Sequence, residues 1–122
     1  MPNKAKKVNP TGLQKAITAN SVVQYYAPWC GYCKQMVPEY SALSETAAVE
    51  LPNVHVVRFN MDKHAAEVQD SRLGEEEFGV PIKEDVRGFP TVVMYREDNT
   101  RSLYKGPRTA QAMMDTMKAY YA

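Results

Sequence analysis

The sequence predicts an α/β fold: one central mixed β-sheet flanked by helices, its first β-strand short or absent. Three observations carry this expectation. Two β-branched and aromatic runs, at 21–27 (SVVQYYA) and 54–60 (VHVVRFN), read as buried strands. Between them, from Cys30 to about Glu50, the residues Met36, Tyr40, Leu43 and Ala47 fall on one helical stripe, and a helix of that length is the crossover that joins parallel strands. Near the C-terminus, runs at 91–97 and 101–105 flank Asp98, Asn99 and Thr100, a hairpin signal that adds an antiparallel pair to the sheet.

The remaining elements follow in order. Residues 1–8 carry Lys4, Lys6 and Lys7 without an apolar face and read as a solvated tail or a short edge strand. From 10 to 20, Leu13, Ala16 and Ile17 recur at helical spacing, with Asn9 or Thr11 available to cap the start. Pro28 ends the strand at 21–27. The long helix contains Pro38, which should kink it. A polar helical stretch is expected from His64 towards Phe78. After the hairpin, Gly106 and Pro107 punctuate the chain before a last helix with Met113, Met117 and Tyr120 at helical spacing. No internal repeat is visible, and 1–122 has the length of a single domain.

Composition narrows the function classes. Hydrophobic residues make up 44% and charged residues 24% of the chain, ordinary globular usage that argues against disorder. Fifteen Lys plus Arg against fourteen Asp plus Glu leave a net charge of +1, too weak a field to steer nucleic acid or an anionic membrane. No apolar run approaches the roughly 18 residues of a membrane-spanning helix, and the MPNKAKK opening lacks the apolar stretch of a signal peptide. The expectation is a soluble monomer with no nucleic-acid or membrane partner. Its expected placement is cytoplasmic, or in the endoplasmic reticulum if a signal has been removed.

The two cysteines, Cys30 and Cys33, close too small a loop to staple the fold, so reactivity is the leading reason for the pair. Side chains at i and i+3 on a helix lie roughly 5 to 6 Å apart, within disulfide reach. Unpaired amides and the macrodipole at a helix N-terminus favour an anion, so Cys30 reads as the nucleophile. Cys33, one turn inward, keeps its proton longer and reads as the resolving thiol. Zinc is the rival reading, with His55 and His64 as the other ligands. Eight residues separate these histidines where a zinc finger has three to five, so no metal is expected. His55 reads as a sheet-face residue, His64 as a solvated helix-start residue and Glu75 to Glu77 as a solvated helix face.

The segment Tyr25-Tyr26-Ala27-Pro28-Trp29-Cys30-Gly31-Tyr32-Cys33-Lys34 resembles the active-site segment of the thioredoxin superfamily, in the form nearest to a catalytic domain of protein disulfide isomerase. The resemblance extends to Pro38, to Arg87-Gly88-Phe89-Pro90-Thr91, which is similar to the family's cis-proline loop, and to Tyr104-Lys105-Gly106-Pro107-Arg108-Thr109. It implies a thioredoxin fold with Cys30 and Cys33 as the catalytic pair. Trp29, Gly31 and Tyr32 are then active-site support, with Trp29 the aromatic lid. Pro90 is the implied cis-proline, and Phe89, Pro90 and Thr91 receive an extended substrate chain by strand addition. Arg108 matches an arginine that approaches the inner cysteine; its other reading is a solvated helix-start residue.

Three departures from the family stand out. Gln24 occupies the position of a buried carboxylate that takes the proton of the inner thiol, and Gln24 cannot titrate. Tyr32 replaces the usual histidine or proline and supplies no positive charge. Between Asp62 and Gly88 lie 25 residues, which reads as an insertion at 63–87. Its later part, residues 79–86, is expected to be either a lid or recognition surface beside the cis-proline loop or a tolerated surface loop. The implied function is a thiol-disulfide oxidoreductase without a cofactor, acting on cysteine-containing proteins and exchanging electrons with glutathione or a thiol reductase or oxidase. The alternatives are a client-binding module with little turnover, and a thioredoxin-like reductant.

Overall fold

Strand β2 (Ser21–Tyr26) is buried at all six positions, and the sheet is organised around it. The computed structural model describes residues 3–69 and 72–122. In the five-stranded sheet, β2 lies between β3 (His55–Asn60), to which it is parallel, and β4 (Thr91–Tyr95), to which it is antiparallel. Beyond β3 the edge is β1 (Lys6–Val8), parallel to it; beyond β4 the edge is β5 (Arg101–Leu103), antiparallel. The expected mixed sheet is present, and the 1–8 segment supplies a short edge strand. The hairpin turn passes through Asn99 at φ 66°, a left-handed conformation that Asn tolerates.

Alternation along β2 sends Val22 to one face and Val23 and Tyr25 to the other. The Val22 face is covered by α2 (Gly31–Glu50) and α5 (Ala110–Tyr120), through Met36, Tyr40, Leu43, Met113 and Met117. The opposite face is covered by α1 (Pro10–Ala16) and the segment before β4, through Leu13, Ile17, Val68 and Ile82. Two tyrosines brace strands to helices. The Tyr40 hydroxyl donates to the Val57 carbonyl at 2.6 Å, with the Val22 carbonyl at 3.1 Å. The Tyr121 hydroxyl stands 2.9 Å from the carbonyls of both Ser21 and Tyr95.

Helix boundaries depart from the periodic pattern where capping decides. Asn9 caps α1, its Oδ1 accepting from the Gly12 amide at 2.8 Å, and the helix ends at Ala16 instead of running to 20. Helix α2 is one unbroken element across Pro38. The polar stretch from His64 to Phe78 is two short helices, α3 (Ala65–Gln69) and α4 (Glu75–Phe78); residues 70 and 71 of that expected helix lie outside the described residues. Gly74 and Gly79 bound α4 at φ 86° and 84°, left-handed positions that suit glycine.

The described residues of the 63–87 segment pack onto the α1 face through Val68, Leu73, Phe78, Ile82 and Val86. Ile82 is 1% exposed and joins the core with Phe78, Val86 and Leu73. A Cβ on Gly74 would lie 2.5 Å from Ile82 Cγ2, so the turn closes directly over that side chain. Asp85 accepts from Arg101 Nε at 2.5 Å, and the Arg101 guanidinium covers the Phe78 ring at 4.9 Å. These contacts make residues 79–86 a plug over the core of that face and lend no support to a lid. Glu75 pairs with Arg72, and Glu77 accepts from Gln14 Nε2 at 2.9 Å, so the acidic run is less solvated than expected.

Two outcomes follow from this packing. Ile82→Ala should destabilise the protein by about 2 to 4 kcal/mol in denaturant unfolding, where a surface-loop residue would cost less than roughly 0.5 kcal/mol. Burial raises the hydroxyl pKa of Tyr25, Tyr40, Tyr95 and Tyr121 in the folded state. Their contribution to stability is therefore complete below the unfolded value of about 10 and is lost as pH rises above it. Ionisation of these four buried tyrosines, the late phase of the ultraviolet absorbance change, should accordingly coincide with unfolding followed by circular dichroism.

Candidate functional site

The two sulfurs sit where β2 hands over to α2. Ala27 and Pro28 end the strand, the Cys30 amide donates to the Ala27 carbonyl at 3.1 Å, and Cys30 becomes the N-cap of α2. Its Sγ accepts from the Cys33 amide at 3.2 Å, so a backbone donor that the helix cannot use is aimed at the sulfur. Both cysteines are free thiols, 7% and 5% exposed. Burial, then its hydrogen bond with Cys30, pushes the Cys33 thiol up to about 12, against smaller downward pulls from the Ala27 backbone and the Arg108 charge.

The opposite wall comes from the start of β4. The Phe89–Pro90 peptide is cis, as expected, and the Phe89 carbonyl lies 3.5 Å from Cys30 Sγ, which donates to it. Thr91 does not face the sulfurs; its hydroxyl donates to the Gly88 carbonyl at 2.7 Å and closes the loop. Trp29 is 65% exposed, packs edge-on against Phe89 with ring centroids 5.8 Å apart, and its indole N–H donates to Asp62 at 3.3 Å. Asp62 has no motif around it, so only its place just past β3 marks it out. Tyr32 is equally exposed, and the Arg108 guanidinium lies 5.8 Å over its ring. Arg108 thus reaches the site through Tyr32. Gly31 is exposed with nothing within 4 Å of an added Cβ, so packing does not require glycine there.

Behind Cys33 lies a cavity of about 180 Å³, lined in part by Gln24, Val37 and Arg58. Gln24 is 2% exposed, and its Nε2 donates to the Met36 sulfur at 3.3 Å, a contact absent from the sequence reading. The histidines lie elsewhere. His55 is exposed on β3, while His64 is largely covered, its ring stacked on Phe59 at 5.1 Å. Stacking on a core aromatic explains why His64 is not the solvated helix-start residue expected. Among the described residues, no three His, Cys, Asp or Glu side chains gather in a way that could hold a metal ion. No described helix is long and apolar enough to cross a membrane.

The thioredoxin family pattern matches residues 4–119. A putative protein disulfide-isomerase of Schizosaccharomyces pombe is 35% identical over 114 residues, covering 92% of this chain and 20% of its own length. The Caenorhabditis elegans protein disulfide-isomerase A6 homolog is 37% identical over 100 residues, covering 80% of this chain and 19% of its own. The chain therefore spans about a fifth of these relatives, and they do not support a cytoplasmic placement. Among solved structures, human ERp44 superposes with a TM-score of 0.78 at 19% identity, over 100% of this chain and 30% of that one. The Trx4 domain of ERdj5 does so with a TM-score of 0.71 at 18% identity, over 98% and 97%. With the sheet order, the helix-capping cysteine, the cis-proline loop and the family match in agreement, the chain belongs to the thioredoxin family.

Proposed function

We propose that the chain is a thiol-disulfide oxidoreductase exchanging disulfides with cysteine-containing proteins, in the manner that the name disulfide-isomerase gives its relatives. The observation that carries this reading is the Cys33 amide 3.2 Å from Cys30 Sγ, a fixed donor that stabilises negative charge on the outer sulfur. The Cys30 thiolate attacks a client disulfide, forming a Cys30–client bond while the other client sulfur leaves as a thiolate. Cys33 then loses its proton and attacks Cys30, so that the Cys30–Cys33 disulfide forms and the second client thiolate departs. Run backwards, the same steps oxidise a client dithiol. Two electrons pass between protein and client, and the two sulfurs need neither cofactor nor metal.

The support residues take distinct parts. Trp29 and Phe89 offer an apolar surface beside Cys30, and the Phe89–Pro90 backbone receives the client as an added strand, in a loop that the Thr91 hydroxyl ties together. Gly31 and Tyr32 carry the turn between the sulfurs, and Arg108 lends positive charge from above Tyr32. Gln24 fills the floor without titrating, so the proton of Cys33 leaves by another route. The domain acts as a monomer of 1–122, with 63–87 as a structural addition, and exchanges electrons with glutathione or a thiol reductase or oxidase. An oxidising compartment such as the endoplasmic reticulum suits this chemistry, since protein disulfides persist there. The raised Cys33 thiol favours one second reading, a client-binding module in which release is slow.

Two experiments test the reading. The protein should accelerate insulin reduction by dithiothreitol, Cys30→Ser should abolish the effect, and Cys33→Ser should accumulate mixed disulfides visible on non-reducing gels. Client capture by the intact protein without accelerated reduction would select the binding module. In Cys30→Ser, alkylation of Cys33 should still climb at pH 10, since burial, the largest cause of its raised pKa, remains. A plateau near the free-thiol value of roughly 8.5 would contradict the enclosure of Cys33. The sign for stability is the same as for the tyrosines. The folded thiol holds its proton to about 12, so the reduced protein should lose stability, relative to the oxidised form, as pH rises above about 8.5.

A further inference from the structure

A cleft beside the dithiol shares Pro90 and Arg108 with the site above, but the rest of its lining has no part in those steps. Pro90 and Val92 form one wall and Tyr104, Lys105, Gly106 and Arg108 the other, around about 390 Å³, the size of a small-ligand site. Its Pro90 wall adjoins the reacting sulfur, and its Arg108 rim neighbours Tyr32. Phe89, whose carbonyl is 3.5 Å from Cys30 Sγ, immediately precedes Pro90, and Arg108 lies over the ring of Tyr32.

The loop is fixed in place. The Tyr104 amide donates to the Val92 carbonyl at 2.8 Å, and the Tyr104 hydroxyl donates to the Pro107 carbonyl. A Cβ on Gly106 would stand 2.6 Å from that hydroxyl, so glycine allows the loop to fold down onto the ring and leave Lys105 and Arg108 on the rim. Both cations are exposed, and neither forms an ion pair among the described residues. Among the described residues, no carboxylate lines the cleft. Asp115, whose charge is felt at the Tyr104 hydroxyl, already accepts from Gln111 at 2.9 Å.

We propose that this cleft is a specificity subsite that takes an acidic side chain of the client polypeptide, two residues from the cysteine under attack. The proposal rests on the exchange reading and names its substrate class. An extended chain advances roughly 3.3 to 3.6 Å per residue, so two residues carry it from Cys30 past Phe89 onto Pro90. Residues i and i+2 of a strand share a face, so the side chain two places from the client cysteine is turned towards the same surface as its sulfur. There it meets two unpaired cations and a tyrosine. Exposed charges of this kind set preference and encounter rate more than affinity.

The test uses paired peptides that differ only in carrying Glu or Lys two residues from the central position. In one pair that position is a cysteine held as a disulfide; in the other it is alanine. Titration of the alanine peptides into the protein at low salt, read by amide chemical shifts, should perturb Lys105, Gly106 and Arg108. The Glu peptide should bind about threefold to fivefold more tightly, a preference that 0.5 M salt removes. Lys105→Glu should invert the ratio, a readout that a general loss of stability does not mimic. For the disulfide peptides, kcat/KM should show the same order, while wild-type turnover of uncharged hydroxyethyl disulfide should be insensitive to salt. Equal binding of the two alanine peptides, or a preference that survives Lys105→Glu, would overturn the subsite. An intact charge preference without turnover of any disulfide would uphold the subsite and overturn the exchange reading alone.

Discussion

The strand directions around β2 are the constraint from which the site follows. Because β2 is parallel to β3 and antiparallel to β4, its C-terminal end meets the N-terminal end of β4, with Tyr25 in register with Thr91. A helix beginning after β2 and a loop ending before β4 must then arrive side by side. Neither the cysteine pair nor the proline loop needs a long excursion to find the other. Complete burial of β2 makes that register costly to change, since a one-residue slip would send Val23 and Tyr25 to the wrong layer.

On this platform the fold makes two chemically similar residues unequal. Cys30 is at the cap, where the Cys33 amide and the Phe89 carbonyl both address its sulfur. Cys33 lies one turn further in, where burial opposes its ionisation. The difference owes more to position on the helix than to neighbouring charge. Arg108 is the smallest of the influences on Cys33 and stands across the ring of Tyr32. Neutral Gln24 on the floor, held by the Met36 sulfur, leaves the inner thiol without a carboxylate at that position.

Much of this was legible because the patterns were local. The runs at 21–27 and 54–60, the α2 stripe and the hairpin each declare themselves within a few residues, and the cysteine spacing carries its own geometry. Reading failed where a long-range contact decided. His64 is polar in sequence but covered in space because Phe59, on β3, offers it a ring. Residues 79–86 carry loop-forming residues, yet Ile82 is a core residue because Gly74 lets the chain close over it. Asp62 has no sequence signal for its bond to Trp29, since their encounter depends on β2 and β3 ending at the same level. Thr91 belongs to the resembling loop, but its hydroxyl is spent inside that loop.

The Tyr40 hydroxyl, bonded to strand carbonyls on β2 and β3, fixes α2 to the sheet two turns below Cys33. At about 1.5 Å per residue, only some 14 Å of helix stands above that anchor. Making or breaking a bond between two side chains at its tip therefore has little leverage on the rest of the molecule. On the exchange reading proposed above, electron transfer is then expected to register as a local change of surface around Trp29 and Tyr32 and not as a change of shape. A partner that must tell the charged carrier from the spent one has to inspect that patch itself, which makes recognition and chemistry a single act.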